Sequence, residues 1–153
     1  MRRGILAVAF AAALLALPAP AAAARIGQVT LRLFYERSGR LSAPVREGPD
    51  FNTWNMAWGG GSAEEPANDV LVSVEILGET GSGPVGAPLE IVARNAQGRV
   101  IGRRVFRDLQ LWESGALWKS LWLTEATCDG LDITVTLGRE SRRLRPEGFL
   151  CAE

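Results

Sequence analysis

The sequence predicts an all-β chain folded as an antiparallel β-sandwich of seven to eight strands. Three observations carry that expectation. Apolar residues recur at every second position in four separate stretches. Glycine, proline, asparagine and serine punctuate the gaps between them, and no stretch after residue 24 sustains a helical period.

Residues 1–24 read as a cleaved export signal. Arg2 and Arg3 form its charged start, Gly4 to Leu17 its apolar core, and Pro18 to Ala24 a small-residue cleavage region. The apolar run is shorter than the roughly 20 residues a bilayer span needs and ends at Pro18 and Pro20, so no membrane insertion is expected after cleavage. Arg2-Arg3 ahead of Gly4-Ile5-Leu6 also resembles a twin-arginine signal, although an ordinary basic start is the preferred reading. The product is expected in the periplasm or secreted, with residues 25–153 forming one domain.

Val29, Leu31, Leu33 and Tyr35 alternate with Thr30, Arg32 and Phe34, which predicts a first strand. Gly39, Pro44, Gly48 and Pro49 mark Ser38 to Asp50 as loop. Phe51 to Trp58 reads as a strand with Trp54, Met56 and Trp58 on one side. Pro66 cuts short the capping-box pattern Ser62-Ala63-Glu64-Glu65, so no helix is expected there. Val70, Val72, Val74 and Ile76 give the next strand a wholly apolar face, which predicts a central position in its sheet.

Gly78 to Pro88 reads as a connector, and Leu89 to Arg94 as a further strand. Asn95-Ala96-Gln97-Gly98 predicts a tight reversal with Gly98 at positive φ, returning through Arg99 to Phe106. Leu109 to Leu123 reads as two strands around Ser114-Gly115. Its Trp112, Trp118 and Trp122 are expected to pack in the core, because large aromatics are mostly buried and these stand among Leu109, Leu111, Leu117, Leu121 and Leu123. Leu131, Ile133, Val135 and Leu137 alternate in a last long strand, with Arg142 to Arg145 returning beside it.

Cys128 and Cys151 are the only cysteines, and an oxidising compartment makes one disulfide between them the expectation. Closing roughly 20 residues, it would stabilise the fold by about 3 kcal/mol and pin Phe149 to Cys151 against the entry to the Leu131 strand.

This pattern resembles the immunoglobulin and fibronectin type III class of sandwich. The likeness is architectural: the two cysteines are too close for the inter-sheet bridge of antibody domains, and no Trp stands between them. The run from Trp54-Asn55 through Gly59-Gly60-Gly61-Ser62-Ala63-Glu64-Glu65-Pro66 to Leu71-Val72-Ser73-Val74 is also similar to one in uncharacterised small exported bacterial proteins, and it implies no activity.

The chain contains no histidine, which removes Ser-His-Asp and Cys-His catalysis and His-ligated metals. With 17 basic and 17 acidic side chains, of which the leader takes only Arg2 and Arg3, no nucleic-acid partner is expected. Residues Arg94 to Arg145 are net basic and Glu36 to Glu90 net acidic, while Arg103, Arg142, Arg143 and Arg145 read as a solvated strand face. Gly81-Ser82-Gly83-Pro84-Val85-Gly86 has dinucleotide-site spacing, but Pro84 and Pro88 leave no helix to receive a pyrophosphate. Glu64, Glu65, Asn68 and Asp69 offer oxygen ligands for Ca²⁺ without the spacing of an EF-hand loop, and read as a solvated acidic turn. No metal or cofactor is expected.

The sequence therefore predicts a non-catalytic binding protein of the cell envelope, with an unidentified protein partner ahead of a glycan. A small hydrolase using paired carboxylates is a third reading. The expected binding surface is Trp54, Trp58, Gly59, Gly60, Gly61, Glu64, Glu65 and Asp69, where glycines beside aromatics permit close approach of a partner.

Overall fold

A computed structural model describes residues 24–45, 63–81, 83–128 and 130–149. Its strands are β1 (Arg25–Tyr35), β2 (Arg40–Leu41), β3 (Asp69–Leu77), β4 (Gly83–Pro84), β5 (Leu89–Arg94), β6 (Val100–Phe106), β7 (Gln110–Leu111), β8 (Ala116–Leu123), β9 (Asp132–Leu137) and β10 (Glu140–Leu144). No helix occurs among the described residues. Seven of the ten strands have five residues or more, in agreement with the expected number.

Two antiparallel four-stranded sheets form, ordered β2-β1-β3-β8 and β10-β9-β5-β6, with β4 and β7 as a separate small ribbon. Without the two-residue strands this is the A-B-E and G-F-C order of immunoglobulin-like sandwiches, β6 lying beside strand C. The wholly apolar face of Val70, Val72, Val74 and Ile76 explains why β3 is central: all four are fully buried, each contributing about 1.5–3 kcal/mol of apolar burial. Leu89, Ile91 and Ala93 from β5 meet them with Ile133 and Val135 from β9, so the core lies between the two inner faces.

The β5–β6 hairpin forms as the sequence predicts. Gly98 takes a φ of 77°, a left-handed conformation that residues with a side chain adopt only under strain, and its N–H reaches Asn95 O at 2.9 Å. Asn95 Oδ1 accepts the Arg99 N–H at 2.9 Å and closes the turn from the other side.

Several boundaries differ from expectation. β1 begins at Arg25 rather than Val29, because a β-bulge between Ile26 and Val29 lets the strand continue pairing with β3. The loop from Ser38 contains β2, and the connector from Gly78 contains β4. The strands on either side of Ser114-Gly115 do not pair with each other, since β7 pairs with β4 and β8 with β3. The predicted Phe51 to Trp58 strand lies outside the described residues.

The β1/β10 side of the sandwich is closed by polar contacts. Arg142 donates to Ile26 O at 2.6 Å and Gly27 O at 2.7 Å, and Glu140 Oε2 accepts the Ile26 N–H at 2.8 Å. Arg142, exposed on the edge strand as expected, therefore also ties the two sheets together. Arg143 and Arg145 do stand on the outer face, where both bind Asp132. The Arg143 hydrogen bond, with Arg145 adding to it against a smaller burial penalty, holds the Asp132 carboxyl down at about 2.

Candidate functional site

The outer face of the first sheet carries the clearest aromatic surface among the described residues. β8 alternates: Leu121 and Leu123 enter the core while Trp118 and Trp122 face out, 47% and 42% exposed. This corrects the expectation of core packing, and so does Trp112, 68% exposed just beyond β7. Neighbouring leucines are not evidence of burial on a strand, because residues adjacent in sequence point to opposite faces. Trp118 and Trp122, four residues apart, stand about 13 Å from each other along the strand.

Cross-strand register fills in the surface around them. Trp122 is opposite Leu71, Trp118 opposite Glu75, and Ser120 opposite Ser73; Leu71 in turn faces Arg32 on β1. Phe34 meets the Trp122 ring edge to face, with centroids 5.0 Å apart. Trp122 Nε1 donates to Asp69 Oδ2 at 2.8 Å, and the other Asp69 oxygen accepts the Glu125 N–H at 3.2 Å. Glu125 is held at a φ of 52°, unusual for a residue with a side chain. The carboxylate thus fixes the indole plane and braces the turn that ends β8.

Of the residues singled out from the sequence, Trp54, Trp58, Gly59, Gly60 and Gly61 lie outside the described residues. Asp69 joins the Trp122 surface. Glu64 and Glu65 turn instead toward Arg40, with Glu65 Oε1 accepting from Arg40 Nη2 at 3.1 Å, while the Glu64 N–H reaches the Tyr35 hydroxyl at 3.3 Å. Burial works to raise the Glu65 pKa, but bonds to Ser38 and Arg40 together outweigh it and hold the carboxyl below its ordinary value. Asn68 Nδ2 donates to Glu36 Oε1 at 3.1 Å. The acidic turn is therefore divided among separate partners rather than converging, and no group of three potential metal ligands occurs among the described residues.

A shallow cavity of about 540 Å³ lies on the opposite face, between the β4–β5 and β6–β7 connections, floored by Pro84, Pro88 and Val105. Glu90 and Asp108 both line it, and Arg103 engages Glu90 at 2.5 Å.

Cys128 is not a free thiol. The Gly130 N–H donates to Phe149 O at 2.7 Å, and each of these residues lies two positions from a cysteine in sequence. The side chain of Phe149 is fully buried there.

No protein-family model matches the chain, and no curated protein does. Among solved structures it is similar to the ligand binding region of serine-glutamate repeat protein A of Enterococcus faecium. The two share 12% identity over 54% of this chain and 83% of that one, with a TM-score of 0.30. At that TM-score the likeness carries no argument about what this chain does. No helix among the described residues is long and apolar enough to cross a membrane.

Proposed function

We propose that the chain is an exported, non-catalytic binding domain of the cell envelope, in the periplasm or secreted, that engages a protein partner through the outer face of its first sheet. The observation that carries this reading is the pair Trp118 and Trp122, exposed on one face with Leu71 and Phe34 beside them. Large rigid aromatics bury much area on association while losing little side-chain freedom. Asp69 adds to this by holding Trp122 in place before a partner arrives.

A photo-cross-linking side chain placed at Leu71 tests the reading in native envelopes, with the same probe at Val92 on the other sheet as control. The expected result is one discrete adduct from Leu71 that disappears in the Trp118→Ala, Trp122→Ala double variant. Equal labelling from Leu71 and Val92 would refute it. A glycan is the alternative occupant, because two exposed Trp share one face. A tryptophan-fluorescence shift on titration with envelope oligosaccharides, absent in the double variant, would favour the glycan over the protein.

Residues 25–153 form one domain in this reading, following a cleaved leader. Cys128 pairs with Cys151, supported by the bond from the Gly130 N–H to Phe149 O. Alkylation of the denatured, non-reduced protein followed by mass measurement should add no label, whereas two labelled thiols would defeat the pairing.

A further inference from the structure

We infer that the free edge of β8 is a docking site for an extended acidic polypeptide segment, which joins the first sheet as an added strand. The inference rests on the binding reading above and gives its partner a chemistry.

Register identifies the free backbone groups. The Gly78 N–H donates to Gly115 O at 2.9 Å, at the head of the β3/β8 ladder. Antiparallel alternation from that pair turns the N–H and C=O of Leu117, Lys119, Leu121 and Leu123 toward β3. Those of Ala116, Trp118, Ser120 and Trp122 point the other way, where no strand lies among the described residues. In immunoglobulin sandwiches of the constant type, that place beside strand E belongs to strand D. Ser114 Oγ occupies both backbone groups of Ala116, and Arg104 Nη1 reaches Ser120 O at 3.3 Å. The groups left for a partner are the N–H and C=O of Trp118 and Trp122 and the N–H of Ser120.

The side chains specify what an added strand should carry. On the outer face its residues would lie beside Trp118 and Trp122, which favours apolar ones. On the inner side they would meet Arg104 and Lys119, whose charges sit 4.8 Å and 5.6 Å from the Phe106 ring centroid. Neither cation takes part in an ion pair among the described residues. The complementary segment therefore alternates apolar with acidic residues. A second copy docking edge to edge would bring its own Arg104 and Lys119 against these two, so like charges disfavour self-pairing.

The test uses two blocked ten-residue peptides, one alternating glutamate with valine and the other lysine with valine. The expected result is binding of the glutamate peptide at least about tenfold tighter, with slowed hydrogen exchange at the Trp118, Ser120 and Trp122 amides. Ser120→Pro removes a donor at an edge position where proline is tolerated, and should abolish binding with the melting temperature retained. Arg104→Glu, which leaves the backbone intact, should weaken the glutamate peptide and reverse the preference.

Equal affinity for the two peptides, or edge amides that exchange unchanged, would overturn the inference. A concentration-dependent dimer lost in Ser120→Pro would overturn it in favour of a second copy. If the Leu71 cross-link persists while the edge stays unprotected, the face binds and the edge does not: the edge proposal falls and the binding reading stands.

Discussion

Each lateral side of the sandwich is crossed by an arginine, but the two sides are finished differently. On the β1/β10 side, Arg142 donates two short bonds to adjacent carbonyls of β1 while Glu140 takes the Ile26 N–H, so three polar contacts join the sheets. On the β6/β8 side, Arg104 reaches a single carbonyl at 3.3 Å and otherwise covers Phe106. The first arrangement satisfies backbone groups that would otherwise be lost in the seam. The second leaves most of the edge unsatisfied and cationic. The first side is joined by hydrogen bonds, the second by apolar packing of Gly102 against Leu121 and Leu123 with one long hydrogen bond beside it.

Arg142→Ala should show the largest effect on stability, a loss of about 2 kcal/mol in denaturant unfolding, because two charge-assisted bonds go and the β1 carbonyls lose their donors. A loss no greater than that of Arg104→Ala would erase the contrast between the sides.

Asp132→Asn should come next, at about 1 kcal/mol at neutral pH after allowing for the exposure of Arg143 and Arg145. The Asp132 carboxyl titrates at about 2 in the folded chain and near 3.9 when unfolded. Its contribution is thus present above the unfolded value and disappears as the pH falls from about 4 through about 2. Unfolding curves of parent and variant should converge across that interval. A gap that persists at the acid end would assign the loss to something other than the ion pairs.

Arg104→Ala should be the smallest, within about 0.5 kcal/mol, since it removes one long bond and an exposed cation–π contact. A larger cost would make Arg104 as structural as Arg142.

Much of the fold was legible because period-two patterning and turn chemistry are local signals. Val70 to Ile76 announce a central strand, and Asn95 to Gly98 a hairpin, from local sequence alone. The two-residue strands β2, β4 and β7 were not legible, since pairs of residues have no period and their pairing is set by distant loops. The exposure of Trp118 and Trp122 departs from expectation for a different reason. Its signal is present in the alternation of Trp118 and Trp122 with Leu121 and Leu123, where strand parity overrides the general preference of large aromatics for burial. Asp69 was singled out as part of an acidic turn. Its contact with Trp122, 53 residues away, depends on the β3/β8 register, which no short stretch encodes.

The Arg142 seam also bears on how the molecule would respond to tension. The starts of β1 and β10 lie against each other there, one strand leading in from the chain's beginning and the other leading toward its end. A pull on the two ends would draw these strands past one another lengthwise, so the seam contacts would have to give way together rather than unzip singly. A domain loaded through its two ends would meet that force first at Arg142, on the side away from β8.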